Sequence, residues 1–198
     1  MNQVRRERSR LLANAPTPDP LPSWPAPWKN QPVRLYHGTR SDSADKILEG
    51  IDLGRCRERT DFGRGFYTTT RRDQAWEWAR RVVEEHPGAD PAVVQFTVER
   101  NHLASLAVIA FVTGRSEADD YWSLVWHCRR GRGPHRPSRT NRYGDEQMYD
   151  VVAGPVAMWW TMRAAYVGYD QFSFHTAKAV DLLDHSDKRQ FDRRGEAG

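Results

Sequence analysis

Leu35-Tyr36-His37-Gly38-Thr39 and, about thirty residues later, Asp61-Phe62-Gly63-Arg64-Gly65-Phe66-Tyr67-Thr68-Thr69-Thr70 decide how this chain is read. Each ends an apolar run in an imidazole or phenol beside glycine. Glycine lets another group approach the backbone closely, while His and Tyr bring hydrogen-bonding atoms on flat rings. A third stretch, Asp170-Gln171-Phe172-Ser173-Phe174-His175-Thr176, has the same strand-like character late in the chain. A lone histidine or tyrosine of this kind is usually a core residue; the ordered combination is what points to a site.

Outward from these segments the periodicity changes repeatedly. Residues 33–37 read as a strand. Asp42 or Ser43 is placed to cap a short helix with Ala44, Ile47 and Leu48 on one face and Gly50 as its stop. Residues 65–69 read as a second strand, and Thr70 as the cap of a helix running to Glu85, with Ala75, Trp78, Ala79, Val82 and Val83 inward. Residues 92–98 alternate, setting Val94, Phe96 and Val98 on one side. Residues 116–129 have helical spacing at Tyr121, Leu124, Val125 and Cys128; 149–153 and 171–174 are strand-like, and 176–183 make a closing helix. Strands outlasting a simple alternation with helices predict a single α+β domain over 33–183.

The flanks differ in kind. Proline recurs through residues 15–32 around Trp24 and Trp28, which predicts an extended, disordered leader over 1–32. Residues 184–198 are charged, lack an apolar face and read as a flexible tail. Residues 129–142 are arginine-rich, punctuated by Gly and Pro and without periodicity, and read as an exposed loop. That loop is either a solvated insertion or a contact for a phosphate backbone or an acidic target surface.

The 198 residues carry a net charge of +4, with 38% hydrophobic and 28% charged residues, enough for one core with polar ends. Two cysteines, Cys56 and Cys128, make no disulfide framework and suit a reducing cytoplasm. No apolar stretch approaches a membrane span, so no membrane partner is expected. The seven histidines show no metal-ligand pairing, so no metal is expected. Asp61-Phe62-Gly63 spells a kinase motif but no catalytic-loop signature precedes it, and Gly63-Arg64-Gly65 is only a fragment of a dinucleotide fingerprint.

His-Gly-Thr followed by a Gly-x-Tyr strand resembles the diphtheria-toxin-like ADP-ribosyltransferases, the group that includes the poly(ADP-ribose) polymerases. Residues 35–39, 61–70, 149–157 and 171–176 together are similar to an uncharacterised bacterial branch of that superfamily. The resemblance implies a split, strongly bent β core holding NAD as substrate. His37 would bond the nicotinamide ribose, the Gly38 backbone would hold the carboxamide, and Tyr67 would stack on the ring, with Thr39, Gly65 and Phe66 lining the same pocket. It further implies mono-ADP-ribosyl transfer to a protein or nucleic acid by a cytoplasmic bacterial toxin or defence effector, with a neutralising antitoxin as an expected partner.

At one position the chain departs from the group. A glutamate usually opens the late strand, whereas Gln171 stands here. An amide can bond a ribose hydroxyl but is no general base at neutral pH. Three options stay open: an acceptor needing little activation, a base from elsewhere (Asp145, Glu146 or His175), or binding without efficient transfer. The alternatives to a transferase are therefore an NAD glycohydrolase and a binding module for NAD or nucleic acid. A relative acting on RNA 2′-phosphate would need a more basic pocket than these motifs supply.

Overall fold

The computed structural model describes residues 31–86, 88–112, 118–132 and 149–192. Trp24, Trp28, Asp145, Glu146 and residues 133–142 of the basic segment lie outside them.

The first strand, β1 (Val33–Arg40), runs antiparallel to β3 (Pro91–Val98), pairing His37 with Val94 and Gly38 with Val93. Strand β7 (Asp187–Phe191) pairs antiparallel with the other edge of β3, completing a three-stranded sheet in the order β1-β3-β7. A second sheet has the order β2-β6-β5-β4, built from β2 (Phe66–Thr68), β4 (Val108–Ala110), β5 (Val151–Trp159) and β6 (Ala164–Phe174). Its β4–β5 pair is parallel and the others antiparallel. The two sheets touch through an isolated bridge, Tyr36 with Thr69, whose backbones exchange hydrogen bonds of 2.8 and 2.9 Å.

Strand alternation explains the layers. Leu35, Val94, Phe96 and Val98 of the first sheet meet Phe66, Val151 and Phe174 of the second in the main core. That core is closed by α1 (Ser41–Glu49), through Ala44, and by α5 (Ala177–Asp184), through Ala179, Val180 and Leu183. The opposite face of the first sheet carries Tyr36 and Val93 against Ala75, Trp76 and Ala79 of α2 (Arg72–Glu84). The opposite face of the second sheet carries Tyr67 and Val152 against Phe62 and against Tyr121 and Val125 of α4 (Ala118–Arg129). A one-turn helix, α3 (Arg100–Leu103), links β3 to β4. The result is one mixed α+β domain, and no helix among the described residues is long and apolar enough to cross a membrane.

Several expectations are corrected in detail. Residues from Asp184 on are not all flexible: β7 pairs with β3, with Lys188 Nζ donating to Ile47 O at 3.2 Å and the Arg72 guanidinium 4.3 Å above the Phe191 ring. Its charges hid it from an apolar pattern, and charge is what an edge strand tolerates. The helix expected after Thr70 presents Ala75, Trp76 and Ala79 inward and leaves Trp78 51% exposed. Thr70 does not cap it. Thr70 N–H, at 2.9 Å, and both hydroxyls of Thr69 and Thr70 donate to the Asp170 carboxylate, tying the start of α2 to β6. Asp42 and Ser43 likewise leave α1 uncapped by a side chain, whereas Thr176 caps α5 by accepting from Ala179 N–H at 3.2 Å. Arg129, read both as the end of the 116–129 helix and as the first residue of the basic loop, ends α4, and Arg130 stacks 3.3 Å from the centroid of the Trp126 ring.

Candidate functional site

Past the Tyr36–Thr69 bridge, β1 and β2 share no ladder among the described residues, which leaves a gap in the backbone pairing between the two sheets. A strand directs the N–H and C=O of alternate residues to the same side. Tyr36 directs both at Thr69, so Gly38, two residues on, directs both into the gap. Its missing side chain has a separate cause. A Cβ on Gly38 would come within 1.9 Å of the Ala75 carbonyl oxygen, so α2 lies too close for any side chain there.

His37 sits one residue beyond the bridge. Its Nδ1 is 2.6 Å from the Tyr67 carbonyl oxygen, which can only accept, so Nδ1 carries the proton and Nε2 is left as an acceptor on the neutral ring. Burial holds the imidazolium below its ordinary range, more strongly than the Tyr67 carbonyl raises it. The ring stacks on Phe66 at 4.5 Å and 28°. Phe66 is itself buried, edge-on to Phe96 at 5.7 Å, and braces His37 from the core. Thr39 ends this part of β1 and is buried.

Tyr67 carries its side chain to the opposite face of β2 from Phe66. Its hydroxyl donates to Gly63 O at 2.9 Å, accepts from Phe62 N–H at 2.8 Å and lies 2.8 Å from Thr60 Oγ1, pinning the 60–63 turn. Burial raises its pKa well above the ordinary phenol, so it stays protonated. Gly65 permits close packing within the protein: a Cβ there would come within 2.3 Å of Ser173 Oγ and 2.8 Å of the His175 ring. His175 donates through Nδ1 to Arg64 O at 2.8 Å on this same side.

Gln171 is reached from the same turn. Continuing the Thr68–Phe172 register by one residue sets it beside Thr69, in the row of the inter-sheet bridge. Its Nε2 donates to Asp61 Oδ2 and to Pro155 O, each at 2.8 Å. The bulge that shifts the β5–β6 register around Pro155 and Ala157 frees the backbone groups used here. Pro155 O also accepts from Tyr121 Oη at 2.9 Å, and Ala157 N–H donates to Asp61 Oδ2 at 2.8 Å. Asp61 is 3% exposed, and its Oδ1 pairs with Arg129 through Nε at 2.8 Å and Nη2 at 2.6 Å.

The structure thus sets His37, Gly38 and the Tyr67 carbonyl beside the Tyr36–Thr69 bridge, and gathers the Tyr67 hydroxyl and the Gln171 amide around the 60–63 turn, the latter also on the β5 bulge. It also adds two residues that sequence reasoning missed, Asp61 and Arg129. Asp61 was visible as the first residue of the segment read as a stray kinase motif, but no local pattern shows that a helix end sixty-eight positions later supplies its counter-charge. Both thiols stay protonated at neutral pH: burial, aided by Asp52 against Arg64, pushes Cys56 up to about 11, and burial with nearby Asp61 pushes Cys128 up to about 12. A separate open groove of about 490 Å³, lined by His102, Lys178, Asp181 and His185 among others, includes none of these residues.

Residues 33–168 match a family described as protein of unknown function (DUF3990), and since the match spans more than half of the chain, the chain belongs to that family. The match includes both segments that carry His37 and Tyr67 and ends at Gly168, three residues before Gln171. No curated protein and no solved structure matches the chain.

Proposed function

We propose that this DUF3990 member binds NAD in the gap between β1 and β2 and transfers its ADP-ribosyl group to a macromolecular acceptor, as a diphtheria-toxin-like ADP-ribosyltransferase. One observation carries the reading: His37, with Nδ1 on the Tyr67 carbonyl, and the Gly38 peptide, turned to the side of β1 that bears the Tyr36–Thr69 bridge, stand together where that pairing stops among the described residues. A carboxamide needs one donor and one acceptor side by side, and the Gly38 N–H and C=O supply that pair. His37 Nε2 accepts from a ribose hydroxyl. Gln171 approaches the same ribose from β6.

Breaking the C1′–nitrogen bond sends the electron pair to nicotinamide, which leaves neutral, and builds positive charge on the ribose. The acceptor nucleophile then forms the new bond at C1′ and loses its proton to solvent or to a base of its own. Catalysis by the protein is positioning: the leaving group and ribose are fixed while the acceptor approaches. Gln171 removes no proton, so the acceptor brings its own nucleophilicity.

The test is incubation of purified protein and a cell extract with NAD labelled in the adenylate. Label on a protein or nucleic acid, lost in His37→Ala protein of unchanged circular dichroism, is the expected result. Free ADP-ribose alone would replace transfer by glycohydrolysis. Unconsumed NAD would overturn both.

A further inference from the structure

We propose that Asp61 is a positioning residue for Gln171, and that its carboxylate is the reason an amide stands at position 171. The inference rests on the reading of Gln171 as a ribose-binding residue. Both hydrogens of the Gln171 amide are committed, one to Asp61 Oδ2 and one to Pro155 O, at 2.8 Å each. The amide is thereby fixed in one of its two flips, and its remaining polar atom, Oε1, receives no donor from the described residues. That atom is a hydrogen-bond acceptor on β6, as one carboxylate oxygen would be. Asp61 in turn is held by the Ala157 N–H and by two Arg129 donors, so the buried carboxylate cannot swing away.

The arrangement makes a glutamate at 171 unfavourable. Its second oxygen would face two acceptors, Asp61 Oδ2 and Pro155 O, where the amide has two donors. Two carboxylates at such a distance repel, and one of them takes up a proton more readily than an isolated acid would. Replacing the amide by the acid therefore weakens the site rather than restoring a base, unless Asp61 is exchanged too.

Nicotinamide release from NAD by wild type, Gln171→Glu, Asp61→Asn and the double variant provides the test. The expected result is a loss of roughly tenfold or more in kcat for Gln171→Glu at neutral pH, shrinking as pH falls and the new carboxyl takes up a proton. The double variant should recover much of that loss, because the Asn amide donates to the new carboxylate. Wild-type turnover in Gln171→Glu with an unchanged pH profile, or a double variant no better than the single ones, overturns the proposal. A second readout stands apart from turnover and from folding of the variants: the Gln171 side-chain amide protons in wild-type protein, followed by NMR, should exchange with solvent far more slowly than those of exposed Gln31. Exchange as fast as Gln31 overturns the positioning role alone. Wild-type protein that consumes no NAD overturns that role together with the NAD reading.

Discussion

His37 donates from Nδ1 to the Tyr67 carbonyl and is kept neutral chiefly by burial, so its titration is coupled to folding. The sign follows from where the proton goes. Unfolded, the ring protonates around its ordinary value of 6.5; folded, only at lower pH. The unfolded chain therefore binds more protons as pH falls, and stability present above pH 6.5 is lost progressively below it. Thermal unfolding of wild type against His37→Gln across pH 5–8 isolates this group: the difference between the two should narrow on acidification. At Tyr67 the hydroxyl serves the 60–63 turn, so Tyr67→Phe should cost about 1–3 kcal/mol by leaving the Phe62 N–H without its acceptor, read by chemical denaturation. The sequence showed these rings beside glycines. It could not show that Tyr67 faces Phe62 while Phe66 faces His37, because that depends on which face of a three-residue strand meets which core.

At the scale of elements, Gly38 and α2 belong together. A Cβ at position 38 meets the Ala75 carbonyl at 1.9 Å, and that atom is backbone, which yields only if the helix shifts. Gly38→Ala should destabilise by roughly 1–3 kcal/mol and lower Tm by about 2–4 °C per kcal/mol, measured by calorimetry. The main strands and the amphipathic helices were legible because alternation and 3.6-residue spacing are local. What was not legible was set by partners far away in sequence. Trp76 rather than Trp78 is inward because Ala75 and Ala79 lie against Gly38 of β1, which sets the face α2 presents. Residues Thr69 and Thr70 serve Asp170 instead of a cap, because β6 passes alongside. The bulge in β5, marked in the sequence only by Gly154-Pro155 within a strand, gives Asp61 and Gln171 their backbone partners.

Over the whole molecule, two sheets divide the labour. Their facing sides make the core, and among the described residues their backbone pairing stops beyond Tyr36–Thr69. β7 shields the outer edge of β3. A chain ended at Ser186 should expose that edge and lose about 2 kcal/mol or more, with Tm lower by ~4 °C or more and light scattering rising on heating. Binding of the nicotinamide end of NAD beside Gly38 is read out by titrating NAD into the isotope-labelled protein and following backbone amides by NMR. The expected result is a saturable shift at Gly38 N–H, among the largest in the protein and absent in His37→Ala. Shifts confined to the groove around His102 and His185, or no saturable shift at all, would contradict it.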